Sequence, residues 1–145
     1  MKILIVNGPN LNLLGARDTN VYGTGTLPEL NDFLKESFPG HELTFYQSNV
    51  EGEIINTLQE AMKDGTEGLV TNLGAYTHTS VALRDALEPI SFPKVEVHIS
   101  NIHAREDFRE KSLTGEVMNG IITGFGRHSY VLGIQAVEQL SASND

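Results

Sequence analysis

The sequence contains no cysteine, which excludes disulfide bonds, thiolate metal sites and a cysteine nucleophile. Basic residues are also scarce, since 10 Lys and Arg stand against 19 Asp and Glu and give a formal net charge of -9 at pH 7. A chain this acidic is poorly suited to bind nucleic acid or an anionic membrane surface. An anionic ligand would therefore need several of the few arginines concentrated in one place.

The sequence also lacks a long hydrophobic run. No apolar stretch approaches the roughly 18 residues of a transmembrane helix. The opening MKILIVNGPN has one Lys and a short apolar run without the cleavage site of a signal peptide, and is typical of a first strand. The 39% hydrophobic and 20% charged content favours a folded chain. We therefore expect one cytoplasmic domain over residues 1–145 with a frayed tail at 141–145, and neither a membrane nor a nucleic-acid partner.

Strand-like and helix-like segments alternate along the chain. Runs rich in β-branched residues predict strands at Lys2–Val6, Glu42–Gln47, Gly68–Asn72, Lys94–Ile99 and Gly120–Phe125. Helical patterns predict helices at Leu27–Phe38, Glu51–Lys63, Ser80–Leu87, Arg105–Ser112 and His128–Leu140. Five such β/α units predict an α/β three-layer sandwich, with a five-stranded parallel sheet in the flavodoxin-like order 2-1-3-4-5.

Two helix starts carry the sequence pattern of a capping box. TLPE puts Thr26 at the N-cap and Glu29 three residues later, and SNVE does the same with Ser48 and Glu51. Both helices are therefore predicted to begin just after these serine or threonine residues.

A long polar loop, NGPNLNLLGARDTNVYG, separates the first strand from the first helix. Connections in compact α/β units are usually about 2–6 residues long, and much longer ones are typically functional. We call residues 8–25 the lid loop and predict that it closes over a site. In parallel sheets that site lies at the carboxyl ends of the strands, where the strand order reverses.

Polar residues are concentrated at the ends of strands one, three and four, and they include three of the five histidines. Capping is expected to explain at least one of Thr77, Thr79 and Ser80, and Gly74 fits a simple turn. The backbone N–H groups of Ile99 and Ser100 could hold a carboxylate. The candidate side chains are Asn10, Asn12, Arg17 and Tyr22 after strand one, Asn72, Tyr76 and His78 after strand three, and Glu96, His98, Ser100, Asn101, His103, Arg105 and Arg109 around strand four.

Strand four, KVEVHIS, puts two titratable side chains on one face, because side chains alternate along a strand. One interpretation is structural: either the strand lies at an edge of the sheet, or His98 packs at a helix end with its neighbour Glu96 in water. The functional interpretation is that Glu96 orients and charges His98, which then acts as a general acid.

Arg17 and Tyr22 also allow two interpretations. A loop arginine is usually a solvated charge, and a loop tyrosine usually packs its ring on the surface. The functional interpretation is a tyrosinate base, which a guanidinium in a water-poor pocket would favour over the neutral phenol. The length and position of the lid loop favour this second interpretation.

Four motifs in order, NGPNLNLLGARDTNVYG, QSNVEG, GAYTHTSVALRDAL and EVHISNIHAREDFREKS, resemble the type II 3-dehydroquinate dehydratase family. The resemblance extends from Ile5 to Tyr130. It implies a flavodoxin-like catalytic domain that dehydrates 3-dehydroquinate to 3-dehydroshikimate in the shikimate pathway. It further implies an anti elimination through an enolate, with no metal or other cofactor.

The resemblance also implies a role for each candidate residue. Tyr22 would be the base, with Arg17 favouring its ionised form, and His98 would be the acid, oriented by Glu96. Asn10 would hold a water near the enolate oxygen, and Arg105 would take part in closing the lid loop. The family's dodecamers of trimers imply that Asp85 reaches a neighbouring subunit's site. Substrate contacts would come from Asn72, His78, Arg109 and the Ile99–Ser100 backbone.

The sequence departs from the family pattern in three segments: Asp18-Thr19 in the lid loop, Leu73 after strand three, and Gly115-Glu116. An alternative function is a flavodoxin-like flavin or nucleotide binder. That function needs a loop of small residues after strand one, where GPNLNLLGARD offers bulky leucines. A signalling receiver domain is excluded because strands three and one end in Asn72 and Asn7 instead of acidic residues.

Overall fold

The computed structural model describes residues 1–16 and 18–143. The strands are β1 (Lys2–Asn7), β2 (Glu42–Gln47), β3 (Gly68–Asn72), β4 (Lys94–His98) and β5 (Gly120–Thr123). The helices are α1 (Thr19–Tyr22), α2 (Leu27–Ser37), α3 (Glu51–Ala61), α4 (Tyr76–Thr79), α5 (Val81–Leu87) and α6 (His128–Ser143). Short 3₁₀ turns lie at Leu11–Leu13, Ile102–Ala104, Asp107–Arg109 and Gly115–Val117.

The sheet has the predicted order, β2-β1-β3-β4-β5, and every neighbouring pair is parallel. The flavodoxin-like prediction is therefore confirmed. The chain order reverses between β1 and β3, so the crevice at the ends of these strands is the expected binding position. Asn7 and Asn72 are register partners at this reversal point.

Alternation along the central strands divides the core into two apolar layers. Ile3 and Ile5 of β1 face α2 and α6, whereas Leu4 and Val6 face α3 and α5. Each fully buried Leu or Ile contributes about 1.5–3 kcal/mol to folding. α6 approaches the sheet closely at Gly133, where a Cβ would lie 2.8 Å from Val97 Cγ1. The two layers hold the strand ends in fixed positions.

One predicted cap is confirmed and the other is wrong. Thr26 Oγ1 accepts a 3.3 Å hydrogen bond from the Glu29 N–H. Ser48 is not the N-cap of α3, because its hydroxyl accepts from Val50 N at 2.9 Å and donates to Glu53 at 2.6 Å. The serine thus forms a local turn before the helix instead of capping it. The α5 cap is Ser80, whose Oγ accepts from Leu83 N at 2.9 Å.

Most predicted ends lie within two residues of the observed ones, but three segments differ by more than that. Residues 105–112 contain only the 3₁₀ turn Asp107–Arg109, because the backbones of Arg105 and Glu106 are extended. α4 was not predicted. α6 continues through Ser143, so residues 141–143, predicted as tail, are helical, and 144–145 lie outside the described residues. No helix within residues 1–16 and 18–143 is long and apolar enough to cross a membrane.

The lid loop is more structured than its sequence suggested. Buried Leu11 and Leu14 anchor its first half in the core, and α1 forms a single helical turn further on. The backbone is left-handed at Asn10, with φ of 70°, and at Asp18, with φ of 40°. A long connection can therefore hold polar side chains in set positions without a regular helix or strand.

Candidate active site

A cavity of about 110 Å³ lies at the carboxyl ends of β1, β3 and β4. A larger cavity of about 810 Å³ shares Tyr22, Ser100 and Arg105 with it, but neither His78 nor His98 lines the larger one. We assign the site to the smaller cavity, called the cleft, because the predicted titratable groups converge there. It is lined by Pro9, Asn10, Tyr22, Asn72, Gly74, Ala75, His78, His98, Ile99, Ser100, Ile102, Arg105 and Arg109.

The structure thus brings together most of the predicted site residues. Glu96 lies behind His98 and is fully buried. Asp85 is exposed on α5 and does not line the cleft. Arg17 lies outside the described residues, so its predicted role stays a prediction. Within the described part of the chain, no group of three or more His, Asp or Glu side chains is placed to hold a metal ion.

The Glu96–His98 pair lies on one face of β4, which is an interior strand. His98 Nε2 donates to Glu96 Oε2 at 2.9 Å, and only 5% of His98 is exposed. The edge-strand interpretation is therefore wrong, since β5 lies outside β4. With Nε2 bonded to the carboxylate, Nδ1 is the ring nitrogen of His98 available to a ligand.

Two hydroxyl groups that were not predicted from the sequence donate further hydrogen bonds to the Glu96 carboxylate. Ser112 Oγ donates to Glu96 Oε2 at 2.8 Å, and the Thr114 hydroxyl donates to Oε1. Burial alone raises the pKa of Glu96, but the hydrogen bond and charge of His98, together with these hydroxyls, outweigh it and lower that pKa. The carboxylate is therefore held ionised in the core, where an unpaired charge would be very costly.

His78 faces His98 across the cleft, with ring centroids 6.3 Å apart and an interplanar angle of 21°. Its Nδ1 donates to the Lys111 carbonyl at 2.8 Å. Burial lowers the pKa of His78, and the charges of His98 and Arg109 lower it further, although the Lys111 hydrogen bond acts in the opposite direction. The neutral ring that results offers Nε2 as a hydrogen-bond acceptor.

Tyr22 is held by an arginine from the loop after β4. Arg105 Nη1 donates to the Tyr22 hydroxyl oxygen at 2.8 Å, and the guanidinium carbon lies 5.4 Å from the ring centroid. The family resemblance implied that Arg105 takes part in closing the lid loop and that Arg17 favours the phenolate. A guanidinium in direct contact with the phenol oxygen stabilises negative charge on it.

Asn10 is held in position by residues at and just after the end of β2. Its N–H donates to Asn49 Oδ1 at 2.9 Å, while Gln47 Nε2 donates to the same oxygen at 3.1 Å. The Tyr76 hydroxyl donates to the Asn49 carbonyl at 2.8 Å. Asn49 is not among the candidate residues predicted from the sequence, although it lies in the QSNVEG motif. Its contacts hold the left-handed backbone that Asn10 adopts.

Arg109 closes one side of the cleft. Its Nε forms an ion pair with Glu106, and its guanidinium carbon lies 4.9 Å from the Phe108 ring centroid. Because the scarce arginines Arg105 and Arg109 both line the cleft, the acidic chain has concentrated positive charge where an anionic ligand would bind.

Comparison with known proteins shows the family to which the chain is similar. A family model described as "Dehydroquinase class II" matches residues 1–138. A 3-dehydroquinate dehydratase from Clostridium beijerinckii is 48% identical over 140 residues, covering 95% of this chain and 96% of that protein. One from Thermotoga neapolitana is 52% identical over 148 residues, covering 99% of each. The crystal structure of a type II dehydroquinase from Butyrivibrio crossotus has a TM-score of 0.93 at 48% identity, covering 95% of this chain and 97% of that one.

The fold and the cleft define an α/β enzyme with a histidine–carboxylate pair at the carboxyl ends of a flavodoxin-like sheet. Its particular class follows from the comparisons. The chain belongs to the class II dehydroquinase family and is an enzyme of the lyase class. The resemblance identified from its four motifs is confirmed.

Proposed function

We propose that this enzyme removes water from 3-dehydroquinate to give 3-dehydroshikimate, a step of the shikimate pathway, by anti elimination through an enolate. Membership of the family supports the reaction. The observation that supports the mechanism is that Tyr22 and His98 line one cleft, each with its own charged partner. A base and an acid on separate elements suit an elimination in which a proton and a hydroxyl leave opposite faces of a ring.

Tyr22 is the proposed base. As the phenolate it takes a proton from the carbon next to the substrate ketone and becomes the neutral phenol. Arg105, 2.8 Å from the phenol oxygen, favours the ionised form before the reaction. We propose that Arg17 adds a second positive charge and that Asn10 holds a water beside the enolate oxygen, where negative charge develops.

His98 is the proposed acid. Its Nε2–H is committed to Glu96, so the transferred proton comes from Nδ1 of the imidazolium. That proton joins the departing hydroxyl, which leaves as water. The ionised Glu96 stabilises the imidazolium beforehand and keeps the ring in one orientation, as a carboxylate does for histidine in other acid–base pairs.

The remaining cleft residues are the proposed substrate contacts. Asn72 and His78 offer neutral partners for ring hydroxyls, and Arg109 offers a positive charge to the carboxylate. The backbone N–H groups of Ile99 and Ser100 are proposed to bind that carboxylate as well. Closure of the lid loop would exclude water and strengthen each of these interactions. No metal or other cofactor takes part in this scheme.

The flavin or nucleotide alternative receives no support from the loop after β1. Leu11 and Leu14 of this loop are buried in the core, where a phosphate-binding loop would present small residues and backbone N–H groups. We therefore keep the dehydratase as the single proposed function.

We further propose that the enzyme works in the cytoplasm as a homododecamer of trimers, in which the exposed Asp85 reaches a neighbouring site. Light scattering on the purified protein tests the assembly. A monomer with full activity would contradict the role of Asp85.

The first experiment is a dehydratase assay on purified enzyme without added metal, in which the conjugated enone of the product absorbs. Tyr22→Phe should lower kcat by a factor of roughly 10² to 10⁴, the usual range for loss of a general base. Tyr46→Phe, on β2 outside the cleft, is the matched control and should be unaffected. An inert wild-type preparation would refute the reaction, and normal turnover by Tyr22→Phe would refute the base assignment.

A further inference from the structure

A fully buried phenol that does not line the cleft is hydrogen-bonded to a residue that does. Tyr130 is in the first turn of α6, and its ring packs in the apolar layer between that helix and the sheet. Its hydroxyl donates to Asn7 Oδ1 at 2.5 Å and accepts from Asn72 Nδ2 at 3.0 Å. Burial raises the pKa of Tyr130 well above its ordinary value, so the group stays a neutral hydroxyl able to make both bonds.

The two amides that meet this hydroxyl are register partners at the last paired positions of β1 and β3. These are the strands between which the sheet order reverses. Each strand leads directly into a loop that lines the cleft, with Pro9 and Asn10 on one side and Gly74 and Ala75 on the other. The Tyr130 hydroxyl therefore links the two strand ends from which the loops lining the cleft begin.

The same bonds fix the orientation of the Asn72 side chain. Its Oδ1 accepts from Gly74 N at 3.1 Å, and its Nδ2 uses one hydrogen on Tyr130. No other described residue accepts from Nδ2, so its second hydrogen is the one available to a ligand. Asn72 is only 4% exposed and lines the cleft, so it is confined to a narrow range of positions.

From this arrangement we infer that Tyr130 is a positioning residue of the active site. Its hydroxyl holds the Asn72 amide so that an N–H, and not the carbonyl oxygen, is offered to a hydroxyl or carbonyl oxygen of the substrate. This inference depends on the substrate-binding role proposed above for Asn72. Without the hydroxyl, the amide keeps only its bond to Gly74 and its N–H loses its fixed direction.

Tyr130→Phe tests the inference, because it removes the hydroxyl and keeps the ring. A hydrogen bond to the bound substrate is present in both ground and transition states, so its loss raises KM and leaves kcat nearly unchanged. We expect KM to rise roughly tenfold, the size of one hydrogen bond. The pH profile of kcat should not move, and the control Tyr46→Phe should behave as wild type. If Tyr130 has only a structural role, part of the variant enzyme would be unfolded and inactive. The apparent kcat would then fall while KM stayed constant, and that result would overturn the inference.

A double-mutant cycle with Asn72→Ala separates action through Asn72 from an independent effect. We expect Tyr130→Phe to raise KM no further once Asn72 is alanine. If the factors by which the two single substitutions raise KM multiply in the double variant, the inference is overturned. Normal KM and kcat in Asn72→Ala would refute the substrate-binding role itself. A raised KM in Asn72→Ala with normal kinetics in Tyr130→Phe would refute only the positioning role.

Asn72→Asp keeps the test decisive if Tyr130→Phe does not fold. Aspartate has the same size but offers only oxygen acceptors when ionised. We expect its KM to rise at least roughly tenfold over wild type, because the N–H donor is gone. Normal kinetics with Asp at this position would overturn the inference.

Discussion

Replacing Thr114 by valine removes one of the hydroxyls that stabilise the buried charge of Glu96. Thr114 is itself fully buried, and valine fills the same volume without a hydroxyl. Glu96 Oε2 would keep its bonds from His98 and Ser112, but Oε1 would lose the Thr114 donor. A hydrogen bond to a charged group contributes about 1.5–3 kcal/mol, so the free energy of unfolding should fall by about 2 kcal/mol. For a chain of this size that is a decrease in Tm of about 4–8 °C.

The pH dependence of this loss identifies its cause. The pKa of Glu96 is held in the folded protein below 4.5, the ordinary value for a glutamate. A lowered pKa stabilises the fold above the ordinary carboxyl pKa, and this stabilisation is lost as the pH falls through the folded pKa. Thr114→Val removes part of it, so the difference in Tm from wild type should be full at neutral pH and shrink below pH 4.5.

Thermal unfolding followed by circular dichroism at neutral and acid pH measures both effects. Thr57→Val on α3 is the matched control, since its hydroxyl donates only to a backbone carbonyl of its own helix at the surface. We expect that control to change stability by less than about 0.5 kcal/mol. An unchanged Tm for Thr114→Val at neutral pH, or a decrease of equal size at every pH, would refute the reasoning.

Two further substitutions test the contacts that the structure added to the site. Arg105→Gln should lower kcat roughly 10²-fold, within the range for impairing a general base, because less of Tyr22 would be ionised, and Arg105→Lys should lie in between. Steady-state kinetics with unchanged kcat would contradict the importance of this contact. Asn49→Ala should lower kcat/KM roughly tenfold by releasing the backbone of Asn10, whereas Asn56→Ala on the exposed face of α3 should have no effect. Equal kinetics of these two asparagine variants would show that Asn49 is dispensable.

The sheet and the histidine–carboxylate pair were predictable because both depend on short-range patterns. Alternation within KVEVHIS is enough to put Glu96 and His98 on one face. Repeated β/α units, together with the handedness of their crossovers, limit the strand order to a few choices, of which the observed one is common.

The supporting contacts were not predictable, because they join residues distant in sequence through irregular loops. Arg105 and Tyr22 are 83 positions apart, and Thr114 reaches Glu96 across 18. A local sequence pattern also gave a wrong prediction where a side chain forms a hydrogen bond to a different partner. Ser48 matched a helix cap but bonds to Val50 and Glu53 instead.

The bond between Arg105 and Tyr22 joins opposite walls of the cleft, since Tyr22 ends the helical turn of the lid loop and Arg105 follows β4. Any outward swing of that loop separates the phenol from this cation and exposes it to water. If Tyr22 is the base, as proposed above, an outward swing of the loop withdraws the cation that contacts its oxygen. Proton abstraction would then require the closed loop, and substrate would have to enter before the loop closes.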